Sequence, residues 1–458
     1  MTDTVTTINP TNEQTIKTYN LLSLQQAQSE VDQCHQAFLK WRTTSHEHRA
    51  KLLNKLAQVI DSNQQELAQL MTDEMGKIYQ QGLQEVELCA AICRYTAEQG
   101  PKVLGDEKRD MQDGHAIISY QPIGVILGIQ PWNFPLYQVI RYACANVMAG
   151  NTTVLKHAGN VFGMAEKIEQ LFKLAGFDDY CFKNLLIDGK TASELIDHSA
   201  IRGVTFTGSD GTGKKVAERA AKQVKKTVLE LGSNDAYIVL DDADLNTAIT
   251  ACTQGRLINN GQTCVAAKRF IVVDALYDDF KALIKEQFEQ VVLGDPNDEK
   301  TTLGPMARKD LRDQLHQQVT DSVNAGATII TGGKVAEHTG FYYTPTLLEN
   351  IKPGMPAYDD ELFGPVASLI RAKDNAEAMQ IANDSRYGLG GGIFSKDEQA
   401  AIELAKLHFD TGMVNINGYG LAQPNLPFGG VKDSGYGREH GGFGLREFVN
   451  IKTIMVND

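Results

Sequence analysis

Cys264 closes the run Asn260-Gly261-Gln262-Thr263-Cys264. A thiol that follows a glycine and is flanked by small polar residues sits on a turn, not in an apolar face. The thiolate is the nucleophilic form of cysteine, and it needs a partly exposed setting rich in hydrogen bonds or positive charge. Cys34, Cys89, Cys93 and Cys144 lie instead on helical stretches among apolar neighbours, where a thiol packs as a small hydrophobe. Glu230 ends the β-type run KTVLEL just before Gly232, so its carboxylate would emerge at the carboxyl edge of a sheet, where open α/β folds bind ligands. Asn133 is held between Pro131 and Pro135 ahead of a predicted helix. An amide so confined can donate to an oxyanion, or can simply close an Asx turn. Residues 206–213 read FTGSDGTG at a strand-to-helix junction. Glycines there let an anion reach the first amides of the helix, although their relative positions 0, 3 and 5 depart from the usual dinucleotide fingerprint.

The elements that must position these groups follow from periodicity. Residues 23–100 read as helical, with Ser23/Gln26 and Thr44/Glu47 at capping-box spacing. The segment 107–122 reads as a β-ribbon. Strands are predicted at 123–129, 151–157, 201–207, 226–231 and 236–241, with helices at 135–149, 160–175 and 213–224 between them. Further on, strands are predicted at 269–273 and 412–416, a β-rich stretch at 326–350, and helices at 275–292, 374–384 and 397–408. Short apolar strands alternating with helices indicate parallel, doubly wound α/β sheets. A cleft between two such units would bring the turns together.

Composition narrows the classes of function. The chain has 458 residues, 42% apolar and 22% charged, which suits a globular protein. Its formal charge of −13 opposes a nucleic-acid role. No apolar run approaches the roughly 18 residues of a membrane span. The N-terminal MTDTVTTINPTNEQ lacks the basic and apolar regions of a secretory signal. Seven scattered cysteines read as reduced thiols, so a cytoplasmic setting is expected. No metal site is expected.

Seven motifs in order carry a family resemblance over essentially the whole chain: PWNFPL (131–136), VLKHAGN (154–160), FTGSDGTG (206–213), LELGS (229–233), GQTC (261–264), ELFGPV (361–366) and PFGGVKDSGYGRE (427–439). The chain resembles the aldehyde dehydrogenase superfamily. The resemblance implies two doubly wound α/β domains, a Rossmann-like cofactor domain (1–106 and 123–232) and a catalytic domain (233–439). A β-ribbon oligomerisation element (107–122 and 440–458) would build a homodimer or homotetramer. It implies Cys264 as nucleophile, Asn133 in the oxyanion hole, Glu230 as general base and Glu439 as a second carboxylate in proton removal. Trp132, Lys156, Gly159, Gly208, Ser209, Gly213, Leu231, Glu361 and Phe363 would hold the nicotinamide cofactor. Glu230 implies that a thioester is hydrolysed and not passed to coenzyme A.

Arg141 lies eight residues after Asn133, with Gln138 and Tyr137 on the same helical face. In this family that face lines the substrate tunnel, with Phe428 across it. A guanidinium there implies an aldehyde carrying a carboxylate, and the local sequence resembles the shorter bacterial succinate-semialdehyde dehydrogenases. The alternative is that Arg141 pairs with an acidic neighbour and holds the helix. Glutarate or 2-oxoglutarate semialdehyde would fit the clamp equally well, and Asn425 brings no second charge to the loop before PFGG. Position 159, where NAD-preferring relatives often carry glutamate, is glycine, so NADP is expected to be accepted alongside NAD. The second glycine usual after the base is Ser233. The rival class, a cysteine hydrolase without a nicotinamide cofactor, would need a histidine base that no motif supplies.

Overall fold

A computed structural model of the chain describes residues 3–457. Four helices open the main body. Ser23 caps Leu24–Trp41 with the expected capping box, Ser23 accepting from the Gln26 amide and the Gln26 side chain from that of Ser23. The next helix, His46–Ser62, is capped one residue later than predicted. Ser45 accepts from the His48 N–H, while the Thr44 hydroxyl donates back to the Trp41 carbonyl. Both residue types suit a cap, and Thr44 is already engaged with the preceding helix. Gln64–Met75 ends in left-handed Gly76, and Tyr79–Val103 follows.

Two large sheets form the frame. The first has six strands in the order Gly435–Tyr436, Lys226–Glu230, Ile201–Thr207, Val125–Gln130, Thr152–His157, Phe182–Asn184. Five are parallel, and the short edge strand from late in the chain runs antiparallel. From its middle strand, Val125–Gln130, the chain winds first to one side and then to the other, which makes the carboxyl end of that strand a topological switch point. The second sheet has seven strands in the order Thr328–Thr331, Thr346–Glu349, Val366–Ala372, Arg269–Val273, Ala236–Val239, Gly391–Phe394, Asn415–Ile416, parallel apart from its first pair. Arg269–Val273 and Ala236–Val239 are buried throughout, as strands covered on both faces require.

A third, antiparallel sheet joins Glu107–Asp110, His115–Pro122 and Val449–Val456. The last of these leaves Ile451, Ile454, Met455 and Val456 exposed. Several elements have no counterpart among the predicted ones, including the helices Gly189–Leu195 and Leu245–Leu257 and the strands Phe182–Asn184, Val366–Ala372 and Gly391–Phe394. Two more stand apart from any apolar pattern. One is the hairpin Thr4–Ile8/Thr15–Asn20, and the other is the helix Lys309–Asn324, whose buried residues are only Leu315, Val319 and Ser322. No helix among the described residues is long and apolar enough to cross a membrane.

Segments at the strand ends of both large sheets border one cavity. The first contributes the carboxyl ends of its strands, at Gln130, His157, Thr207 and Glu230. The second contributes the segments entering the amino ends of its strands, with Cys264 and Lys268 before Arg269, and Glu361 before Val366.

Candidate active site

The nucleophile candidate is presented by an unusual turn. After the helix Leu245–Leu257, three successive residues are left-handed, Asn259 (φ 54°), Asn260 (φ 57°) and Gly261 (φ 76°). Asparagine tolerates that region better than most residues, and here its side chains repay the strain. Asn260 Nδ2 donates to the carbonyls of Gly76 (2.8 Å) and Pro305 (2.9 Å), and its Oδ1 accepts from the Gly304 N–H (2.8 Å). A Cβ at Gly261 would lie 2.3 Å from the Gly364 carbonyl carbon, so no other residue fits. The turn leaves Cys264 partly exposed, whereas the other six cysteines are buried. Burial of the sulfur itself pushes its thiol up to about 12, opposed by the charges of Lys268 and Arg141.

Asn133 follows the switch-point strand and is buried. Its Nδ2 donates to the Gln262 carbonyl (3.1 Å), and its own carbonyl accepts from Asn259 Nδ2 (2.8 Å). The amide is thus fixed against the cysteine turn with one N–H still to give. Glu230 is buried at the end of its strand, and neither carboxylate oxygen has a hydrogen-bond partner among the described residues. Desolvation holds its carboxyl well above the usual range, and the neighbouring Glu439 raises it further against the pull of Arg141.

Cys264, Asn133 and Glu230 line one cavity of about 440 Å³, together with Trp132, Gln138, Gly208, Ser209, Leu231, Glu361, Phe363 and Arg386. Its far end is the start of the helix Asp210–Lys222, where Ser209 makes no side-chain cap, so the first amides are available to an anion. A Cβ at Gly213 would lie 2.4 Å from Leu231 Cδ2, which brings that helix close to the sheet. Phe363 meets Trp132 edge-on at 5.8 Å. Lys156 stands at the end of its strand, its ammonium lowered by burial. Gly159 lies beside the N-terminal hairpin, where a Cβ would come 3.2 Å from Val5 Cγ1.

A second, smaller cavity touches Cys264 from the other side. It is lined by Leu88, Phe134, Tyr137, Gln138, Thr263, Val265, Leu421, Ala422 and Phe428, none of them charged. Gln138 borders both cavities, and its buried Oε1 has no partner among the described residues. Arg141 lines neither. Of the two expectations for Arg141, a substrate clamp and an acidic partner, the structure shows a guanidinium engaged with the protein. The Arg141 side chain is completely buried, Nε pairs with Glu439, and one terminal nitrogen donates to Thr207 Oγ1 (2.9 Å). The rings of Tyr137 (5.2 Å) and Phe428 (5.0 Å) lie against it. Glu439 is likewise engaged as the counter-ion of Arg141.

The sequence model of the aldehyde dehydrogenase family matches residues 1–454. The chain belongs to the aldehyde dehydrogenase family. Among its relatives, a succinate-semialdehyde dehydrogenase (NADP+) of Deinococcus radiodurans is 43% identical over 98% of this chain and 94% of the relative. The succinate semialdehyde dehydrogenase (NAD(P)+) Sad of Escherichia coli is 44% identical over 91% of this chain and 90% of the relative. A solved structure of succinic semialdehyde dehydrogenase from Streptococcus pyogenes with NADP+ superposes with a TM-score of 0.97 at 37% identity, covering 99% of this chain and all of that one.

Three further residues of this aldehyde dehydrogenase bear on its site without any sequence signal. Glu85, from the helix Tyr79–Val103, accepts the N–H groups of Leu136 (3.0 Å) and Tyr137 (2.9 Å). It thereby caps, from outside, the helix that follows Asn133. Lys77 pairs with Glu85 out of solvent and places its ammonium 3.9 Å above the Phe134 ring. Lys268 reaches the carbonyl of Cys264. Ser233 gains a contact where a glycine was expected, its hydroxyl donating to Asp235; its N–H, which a glycine would also offer, donates to Glu361 Oε1 (3.1 Å).

Proposed function

We propose that this aldehyde dehydrogenase oxidises succinate semialdehyde to succinate, using NADP+ and also NAD+. The observation that carries the reading is the convergence of Cys264, Asn133 and Glu230 on one cavity whose other end suits a dinucleotide. The names of relatives at 43% and 44% identity support the substrate.

In this mechanism the Cys264 thiolate attacks the aldehyde carbon from the small cavity. The oxyanion takes hydrogen bonds from Asn133 Nδ2 and the Cys264 N–H, and one such donor is worth about 10²–10³ in rate. The bound nicotinamide supplies the acceptor for hydride. Glu230 then takes a proton from water, which cleaves the thioester on Cys264 and frees the acid. Ser209 and the helix amides behind it would hold the pyrophosphate, Lys156 the adenosine ribose, and Glu361 and Phe363 the nicotinamide end. The test is reduction of NADP and NAD, side by side, with succinic semialdehyde and with butanal. Preference for the semialdehyde supports the assignment, and no reduction with either would remove it. A broad-range dehydrogenase is the second reading, favoured by one observation, the uncharged lining of the aldehyde cavity.

The same proposal divides the chain into a cofactor domain (1–106 and 123–232), a catalytic domain (233–439) and an oligomerisation element (107–122 and 440–458). The apolar side chains left exposed on Val449–Val456 support pairing with a second copy. Seven unbridged cysteines support a reducing, cytoplasmic setting.

A further inference from the structure

Lys268 is buried to 1% exposure, four residues beyond the nucleophile. Its ammonium has three protons and meets three acceptors, the carbonyls of Thr263 (3.2 Å) and Cys264 (2.5 Å) and Glu361 Oε1 (3.2 Å). Burying a lysine costs several kcal/mol before its partners repay it, and a chain that needed only to close this turn could have used a neutral donor. The cost is met at the one place where a positive charge adjoins Cys264 on one side and the nicotinamide end of the cavity on the other. Glu361 is in turn fixed by the Ser233 N–H, with Oε2 against Gly232, where a Cβ would lie 2.7 Å away.

We propose that Lys268 is a positioning residue for the nucleophile: it fastens the Thr263 and Cys264 carbonyls, provides the positive charge that favours the thiolate, and is shared with Glu361, so that cofactor pocket and nucleophile turn on one buried cation. This inference rests on the reading of Cys264 as the nucleophile. The other groups that act on the sulfur are Arg141 from the helix after Asn133, Glu361 from the loop before Val366, and Asp235 from the segment after Glu230. Tyr137 and Tyr419 also face it. Among these Lys268 gives the strongest pull towards the thiolate.

The test is the rate of Cys264 alkylation by iodoacetamide against pH, in the wild type and in Lys268→Met, Lys268→Gln and Lys268→Arg. The remaining six thiols are buried and serve as an internal control. NADP+ affinity is followed alongside by quenching of protein fluorescence. With the charge removed, the alkylation midpoint should rise by about one pH unit, a roughly tenfold slower reaction below it, and NADP+ should bind more weakly. Lys268→Arg should keep a midpoint near that of the wild type. If Lys268→Met does not fold, the Gln and Arg variants decide the matter, since both can donate to the carbonyls and only one is charged. An unchanged midpoint in Lys268→Gln overturns the proposal, as does failure of both Gln and Arg variants to fold. Cys264→Ser separates the two claims: if it retains turnover, the nucleophile assignment fails whatever the alkylation data show. If it is inactive while the midpoint in Lys268→Gln is unmoved, only the role of Lys268 falls.

Discussion

Arg141 and Glu439 are joined in a buried ion pair, and the rings of Tyr137 and Phe428, which line the small cavity beside Cys264, pack on its guanidinium. The pair lies close enough to Glu230 to shift its ionisation from both sides. One positive charge thus serves two buried carboxylates.

Arg141→Ala should therefore act first on stability. Removing one partner of a buried pair typically costs about 3–5 kcal/mol, because the other is left charged and unsolvated. Chemical denaturation of Arg141→Ala, Glu439→Gln and the double variant checks this, and the double variant should recover much of the loss. The kinetics then decide whether the guanidinium also serves the substrate. A KM that rises far more for succinic semialdehyde than for butanal would mean that the pair opens on binding. Equal changes would confine Arg141 to its counter-ion role.

Glu230 should govern the alkaline rise of turnover. Its carboxyl is held above the ordinary range, so the basic form accumulates only as pH climbs through that raised value. Thioester hydrolysis should increase with pH in parallel and fall on the acid side. Glu230→Gln should flatten this limb and lower single-turnover hydrolysis by about 10²–10⁴. A variant that keeps the wild-type profile would remove Glu230 as the base.

The Glu85–Lys77 pair should reach catalysis through Asn133. Glu85→Ala frees two helix amides and strands a buried ammonium, and the helix entry that carries Asn133 loses its anchor. A fall in kcat of about tenfold or more is expected if the oxyanion donor shifts, with KM for NADP+ little changed. Glu85→Gln keeps an acceptor for both amides and should lose less. Identical kcat values for wild type and Glu85→Ala would show that the turn holds itself.

Gly159→Glu should turn the cofactor preference towards NAD, since a carboxylate would repel a 2′-phosphate. The close approach of Val5 leaves little room for it. The single change should lower the melting temperature, and pairing it with Val5→Ala should restore stability and complete the switch. The ratio of kcat/KM for the two cofactors is the measurement.

What was legible in the sequence is what depends on neighbours in the chain. Cys264, Asn133 and the 206–213 loop each sit on a turn announced by its own glycines or prolines, Glu230 ends a strand just before Gly232, and the strands nearby are short apolar runs. The strand Ile201–Thr207 and the strand Arg269–Val273 fall where the pattern puts them. The helix Lys309–Asn324 escapes because its apolar stripe is too thin to stand out among polar residues. The hairpin Thr4–Ile8/Thr15–Asn20 escapes because it is mostly exposed. The partners of Arg141, Lys77 and Lys268 are set by how distant segments pack. The face occupied by Arg141 could be read from its spacing, but nothing nearby in the chain reveals that Glu439 claims it.

The left-handed turn before Cys264 has a bearing on when the protein becomes reactive. Asn260 is stitched to Gly76 and to the Gly304–Pro305 segment, so the turn has no support until regions from the beginning and the middle of the chain have both arrived. Contacts of such long sequence separation form late, after loop closure has been overcome. A nascent or partly unfolded molecule consequently carries Cys264 without its turn, and the sulfur is brought beside Asn133 and Glu230 only on completion.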